Sequence, residues 1–263
     1  MIGARAKAAA IVAFIVGLAL AAYCGYVFCV RVLPYGYHAA LVICFYIVEV
    51  VAVSVVCDIV HEMAHFLVGK CLKMGTKMPS YRPLASSSVE VNPRVSRGLR
   101  ARMIATSAAG LITSLAFIAL GTCALAIECV PPVFIAVLPY SAYSLILNAA
   151  PVEYRSGKTD GLVLCELIAL SDSARVMLAV LRVQGLLNEG TALKDIDKSL
   201  LFKLPQLPED DINFIVLTQL RYEYFSAVGD EEQAKAYLGR YNELKQYLPD
   251  GYADMPLSDK AEK

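Results

Sequence analysis

The chain has 263 residues, of which 57% are hydrophobic and only 18% are charged, and its mean hydropathy is +0.55. Soluble domains carry about one-quarter charged residues, so this composition is typical of a membrane protein and excludes a single soluble fold or a disordered chain. The formal net charge is zero, which excludes a dedicated nucleic-acid binder because that function needs a concentrated basic surface. The eight cysteines include no CxxC pair, which argues against a secreted disulfide framework.

Four apolar stretches predict four transmembrane helices. The first has 23 uncharged residues, more than the roughly 7–15 of a signal-peptide core, so residues 1–38 are expected to hold an uncleaved extra span. The second stretch is about 46 Å long as a helix, from 1.5 Å per residue, and must tilt, kink or project into water. The four predicted spans are Ala8–Val30, Ala39 to about Gly69, Met103–Ile127 and Pro131 to about Ala150.

The loop at residues 70–102 sets the predicted orientation. It contains eight lysines and arginines against a single acid, Glu90. Loops rich in lysine and arginine stay on the cytoplasmic side, so both termini of this multi-pass membrane protein are predicted to be cytoplasmic. Polar and apolar residues alternate weakly at Ser86–Val91, so a short hairpin that dips into the membrane surface is compatible with the sequence.

The chain after Gly161 has the pattern of amphipathic helices and predicts a cytoplasmic helical region at residues 161–248. The segment from Tyr222 to Leu238 resembles half of a tetratricopeptide helix pair, but a repeat array needs about three such units, so a small helical bundle is the favoured interpretation. Such a region would recruit a cytoplasmic protein partner, and residues 249–263 form a polar tail. The fold class is therefore an all-α polytopic membrane protein, with predicted C-terminal helices at Leu162–Ala169, Ala174–Leu187 and Ile212–Val228.

The motif His61-Glu62-Met63-Ala64-His65 carries the predicted chemistry. Residues four apart share one face of a helix, so both imidazoles can bind one metal ion, and Glu62 beside them can accept a proton from water. From the helical rise, the two histidines lie about 7–13 Å inside the cytoplasmic boundary. Polar groups at that depth are costly unless they serve a site, which favours a metal centre within the membrane.

A catalytic zinc usually has three protein ligands, so a third must come from elsewhere. His38, the only other histidine, is predicted to lie at the opposite membrane face. Asp58 is one turn before His61 and is expected to accept a hydrogen bond from an imidazole rather than to bind the metal. The candidates on the cytoplasmic side are Asn148 and Asp160. Two simpler interpretations remain open, namely Asp160 as a helix cap and Asn148 as an interhelical amide.

Two motifs occur together in this chain: HExxH near the cytoplasmic end of one span, and Asn148-x-x-Pro151 followed by Asp160-Gly161 after a later span. This combination resembles the site-2 protease family. The resemblance covers residues 39–165 and implies a zinc metalloprotease core, placed at residues 39–160, that hydrolyses membrane-embedded peptides near the cytoplasmic face. It also implies the role of each site residue: one zinc ion bound by His61, His65 and Asp160, with Glu62 as general base and Asn148 holding the substrate backbone or the transition-state oxygen.

The sequence departs from the family pattern in two places. Twelve residues lead from Asn148 to Asp160, which is longer than usual in the family and leaves Glu153 as a reserve third ligand. The family's middle helix often carries Gly-Pro-x-x-Asn, and here Gly110 is kept while the proline and the asparagine are lost.

Two other functions fit the sequence. One is a different membrane zincin that uses Glu166 as its third ligand. The other is a membrane scaffold with a vestigial metal site, which recruits partners through its C-terminal helices. Substitution of Asp160 and of Glu166 in turn distinguishes the other zincin from the site-2 protease interpretation, because only loss of the true third ligand should remove the zinc. Zinc binding without peptide cleavage would indicate the scaffold.

The orientation can be tested with single cysteines at Tyr35 and Ser87 in a cysteine-free variant. An impermeant maleimide added to intact cells should label Tyr35→Cys, because it lies outside, and should reach Ser87→Cys only after the membrane is opened. Labelling of Ser87→Cys in intact cells would reverse the predicted topology.

Overall fold

Long apolar helices dominate the first part of the chain in the computed structural model, which describes residues 3–78, 90–154 and 157–248. Four helical stretches are long and apolar enough to cross a membrane, which confirms the predicted number of spans. The fourth begins with a 3-10 turn at Pro132–Ala136, so its α-helix is shorter than predicted. The four helices are α1 (Ala4–Val32), α2 (Ala39–Cys71), α3 (Leu99–Ala126) and α4 (Val137–Ala149).

Proline sets both ends of the fourth span. Pro132 occupies the first turn, where its missing N–H costs nothing. The α-helix stops before Pro151, because the residue preceding a proline is driven out of the helical region, and Ala150 is indeed extended with ψ of 129°. A short antiparallel hairpin follows, in which β1 (Glu153–Tyr154) pairs with β2 (Gly157–Lys158). This hairpin was not predicted, and it leads into α5 (Asp160–Ala169).

The described chain divides into two compact units. One contains the chain up to Val68 together with Thr106–Cys165, and the other contains Gly69–Lys77, Glu90–Ala105 and the chain from Glu166 onward. The last change from one unit to the other falls inside α5, between Cys165 and Glu166.

All four spans contribute to one apolar cluster in the first unit. Close approach depends on small residues: a Cβ on Gly25 would lie 2.8 Å from the Tyr46 ring, and one on Gly121 would lie 2.7 Å from Cβ of Leu138. Arg31 at the end of α1 donates to the last carbonyls of α3, those of Ala124 at 2.6 Å and Leu125 at 2.7 Å. The cluster consists of Cys24, Phe28, Val42, Tyr46, Ala124, Ile135, Ala136 and Leu138.

Helices α6 (Asp172–Asn188), α7 (Ser199–Phe202), α8 (Ile212–Val228) and α9 (Glu231–Leu244) form the core of the second unit. The predicted bounds of α8 are confirmed. Gly229, with φ of 80°, ends α8, and the Asp230 side chain caps α9 by accepting from the Gln233 amide. The segment from Tyr222 to Leu238 covers the second part of α8 and the first part of α9. The tail from residue 249 lies outside the described residues.

Backbone hydrogen bonds join the two ends of the basic loop within the second unit. The Asn92 amide donates to the Met74 carbonyl at 3.1 Å, and the Lys77 amide donates to the Glu90 carbonyl at 3.2 Å. The predicted hairpin at Ser86–Val91 lies mostly outside the described residues. Two of the loop's basic residues cap helix ends: Arg102 donates to the carbonyl of Leu72, and Arg100 donates to those of Leu167 and Ile168.

Glu49 on α2 is a buried acid in the first unit. It is 7% exposed, and neither carboxylate oxygen has a hydrogen-bond partner in the described part of the chain. A polar group buried without a partner costs free energy, and more so when it carries a charge.

Replacing Glu49 by methionine should therefore stabilise the protein, by about 1–3 kcal/mol, because the orphaned polar atoms are removed while the side-chain length is kept. Thermal unfolding followed by circular dichroism in detergent measures the change. Glu128→Met is the matched control, since Glu128 is exposed. A lower unfolding temperature for Glu49→Met would show that its carboxylate has a stabilising partner.

Candidate metal site

Three side-chain atoms from α2 and α5 converge inside the first unit. Nε2 of His61 and Nε2 of His65 are 3.2 Å apart, and Oδ2 of Asp160 lies 3.3 Å and 3.2 Å from them respectively. Both histidines are buried, whereas the Asp160 side chain is 21% exposed, so the site opens on the Asp160 side. These three residues are the one group with metal-binding geometry in the part of the chain that the structure describes.

Helix α3 supplies the outer partners of both imidazoles. Nδ1 of His65 lies 2.7 Å from the Thr106 carbonyl oxygen, and Nδ1 of His61 lies 3.1 Å from Oγ of Ser114. A carbonyl oxygen only accepts, so Nδ1 of His65 must carry a proton, and Nε2 faces Asp160. In the neutral ring with this tautomer, Nε2 would offer its lone pair to a metal ion. Oriented imidazoles with hydrogen-bonded outer nitrogens are typical of metal-binding histidines.

Gly110 lies on α3 midway between Thr106 and Ser114. The three residues are spaced four apart and therefore share one helix face, which runs along the histidine face of α2. A Cβ on Gly110 would lie 2.3 Å from Nε2 of His65 and 2.4 Å from Nε2 of His61. Glycine is therefore required here, because any side chain would occupy the space beside the ligand atoms.

Thr159 and Gly161 fix the position of Asp160 at the start of α5. Oγ1 of Thr159 accepts from the Leu162 amide at 3.2 Å, so Thr159 caps the helix and Asp160 does not. A Cβ on Gly161 would lie 2.1 Å from the Ala149 carbonyl oxygen, so only glycine lets α5 start this close to the end of α4.

The electrostatic environment of Asp160 favours its carboxylate form. Burial raises the pKa of Asp160, but the interactions with His61 and His65 outweigh burial and hold it below its ordinary value. Glu153, the reserve third ligand, lies exposed in β1, across the ladder from Lys158. The structure thus brings Asp160, and not Glu153, to the histidines.

Glu62 is half-buried on α2 and lies within electrostatic range of both histidines, Asp160 and Asp58. Asp58 accepts a hydrogen bond from the Tyr140 hydroxyl at 3.2 Å. The role that the sequence predicted for Asp58, as the acceptor for an imidazole N–H, is filled instead by Thr106 and by Ser114.

Asn148 lies on α4, where its side-chain amide donates to Oγ of Ser144 at 3.2 Å within the same helix. This contact uses one of its two N–H groups, so a second N–H remains for another acceptor. Glu166 is on α5, six residues after Asp160. At 3.6 residues per turn, that spacing places the two carboxylates on different faces of the helix.

The sequence alone did not indicate three residues that hold the site, namely Thr106, Ser114 and Thr159. Thr106 contributes a backbone carbonyl, which no sequence pattern marks. Ser114 lies four residues after Gly110, at the position where the site-2 protease motif has asparagine. This spacing was the one feature of the sequence that could have indicated Ser114.

Comparisons with family models, with curated proteins and with solved structures found no match for this chain. Zinc bonds of about 2.0–2.2 Å to nitrogen and oxygen give a tetrahedron with edges of about 3.3 Å. The distances of 3.2–3.3 Å between the three atoms fit that size. Two imidazole nitrogens and a carboxylate oxygen are also ligand types that zinc takes.

Gly110→Ala should reduce zinc retention sharply, because its methyl group would displace both imidazoles. Metal content after purification, measured by mass spectrometry, checks this outcome. Gly239→Ala is the control, since no atom lies within 4 Å of its added Cβ. Helix propensity favours alanine in both variants, so a loss confined to Gly110→Ala reports the local clash. Zinc content equal to wild type in Gly110→Ala would contradict the assigned site.

Proposed function

We propose that the chain is an intramembrane zinc metalloendopeptidase that cuts membrane-embedded peptides near the cytoplasmic face. The observation that carries the proposal is the triangle of side-chain atoms from His61, His65 and Asp160, with edges of 3.2–3.3 Å. The two histidines lie on α2, an apolar helix long enough to cross a membrane. His61, His65 and Asp160 would hold the ion, and three protein ligands are the number found in catalytic rather than structural zinc sites.

A zinc ion in this position supplies a Lewis acid that polarises a carbonyl and activates water. Glu62 takes the proton of the attacking water and passes it to the leaving amine, because it is adjacent to both ligand histidines on α2. Asn148 retains an N–H group that can donate to the substrate backbone or to the developing oxyanion. The membrane interior excludes competing water, which strengthens both of these electrostatic interactions.

The basic loop supports a cytoplasmic location for the active-site end of the membrane helices. The second unit, with its helices α6 to α9, then belongs to the cytoplasmic side and offers a surface for a protein partner. The substrate in this proposal is a membrane-spanning peptide or protein, which must unwind locally before its amide is accessible.

Glu62→Gln is the central test of the proposed activity. The variant should keep its zinc and lose peptide cleavage, by about 10²–10⁴-fold, because a general base is lost while the ligands remain. His61→Ala should lose zinc and activity together. Comparing membrane proteomes of cells that express wild type or Glu62→Gln identifies the substrate as a protein that accumulates only in the variant.

The same assays assign the third ligand. Asp160→Ala should lose both zinc and cleavage, while Glu153→Ala should leave both unchanged because its side chain lies away from the histidines. The opposite result would make Glu153 the ligand. Wild-type protein that holds one zinc ion and shows no Glu62-dependent difference between proteomes would support the scaffold function instead.

A further inference from the structure

The buried hydroxyl of Thr159 joins the end of α4 to the start of α5. Thr159 is 6% exposed, and its Oγ1 lies within hydrogen-bond distance of four backbone atoms. A hydroxyl has one proton and two lone pairs, so it donates to one carbonyl and accepts from both amides. The four distances are 2.6 Å to Ala150 O, 3.0 Å to Val152 O, 3.2 Å to Leu162 N and 3.4 Å to Val152 N.

These hydrogen bonds hold together the two ends of the loop that lies between Asn148 and Asp160. The Thr159 amide also donates to the Val152 carbonyl at 3.2 Å, so the base of the hairpin is tied at both backbone and side chain. Asp160 therefore follows a fixed point next to Ala150, and the length of the hairpin beyond that point does not affect its position.

We propose that Thr159 is a positioning residue that sets the metal-binding carboxylate of Asp160 through its hydroxyl. The inference rests on the metal site of the proposed function. It concerns an interaction between Thr159 and backbone atoms only, since the hydroxyl itself does not bind the ion. Without the hydroxyl, the first turn of α5 loses its cap, and the Ala150 carbonyl keeps only the Val152 amide as a donor. Asp160 is then held less firmly against the histidines.

Two substitutions separate the hydroxyl from the rest of the side chain. Thr159→Val keeps the volume and the β-branch and removes all four polar contacts. Thr159→Ser keeps the hydroxyl and removes only a methyl group. Thr218→Val is the matched control, because Thr218 is 1% exposed and its hydroxyl donates to the Phe214 carbonyl at 2.8 Å in the second unit.

The test measures zinc affinity of the full-length protein in detergent by competition with a chromogenic chelator. The absorption spectrum of the cobalt-substituted protein is recorded as a second readout. Thr159→Val should weaken zinc binding about 10–100-fold, the usual effect of losing a partner that orients a ligand, and should alter the cobalt spectrum. Thr159→Ser and Thr218→Val should stay within about threefold of wild type on the same scale. Unfolding temperatures of the metal-free proteins show whether each variant is folded.

Folded Thr159→Val protein with wild-type zinc affinity and cobalt spectrum would overturn the inference. An equal loss in Thr159→Ser would also overturn it, because the methyl group and not the hydroxyl would then matter. Failure of the proposed function gives a different result. If wild type binds zinc but cleaves nothing, the protease proposal falls while the affinity contrast still decides the role of Thr159. If wild type binds no zinc, both fall together.

Discussion

The placement of three lone-pair atoms within 3.3 Å of one another, inside an apolar helical bundle, is the constraint on which the site depends. Burial deprives the three groups of most of their water, so each depends on partners within the protein. Each group is also held from outside the triangle. Thr106 and Ser114 contact the outer nitrogens of the histidines, and the start of α5 fixes Asp160. In the proposed function, a zinc ion would complete this arrangement by binding all three atoms.

The constraint explains the composition of the helix faces that meet at the site. His61 and His65 repeat every four residues on α2, and Thr106, Gly110 and Ser114 repeat every four residues on α3. The order of contacts is antiparallel, because His65 meets Thr106 and His61 meets Ser114. The central position of the α3 face must be glycine, since a Cβ there would lie within 2.4 Å of both ligand nitrogens. Two short periodic patterns on α2 and α3 therefore account for how the two histidines of the proposed metal site are held.

The sequence predicted what depends on local pattern and missed what depends on contacts between distant segments. Hydropathy was enough to place four helices long enough to cross a membrane, and the helical pattern of residues 212–228 was enough to place α8. The hairpin at residues 153–158 and the outer contacts of the histidines were missed. Each hairpin strand has only two residues, which is too short to show an alternating pattern, and a backbone carbonyl such as that of Thr106 leaves no trace in the residue type. The acceptor role expected of Asp58 depends on a similar contact between distant segments, and the hydrogen bond that the structure gives Asp58 comes from the Tyr140 hydroxyl.

The separation of Asn148 from Asp160 shows how spacing in sequence can mislead about position in space. A tether of twelve residues would leave a carboxylate free over a wide volume, and the entropy of fixing it would weaken any metal bound there. The fold removes most of that freedom before the carboxylate is reached. Contacts of Thr159 with Ala150 and Val152 close the loop at its base, and Gly161 lets the first turn of α5 lie against Ala149. The junction of α4 and α5 thus sets the position of Asp160, although eleven residues separate it from Asn148 in the sequence.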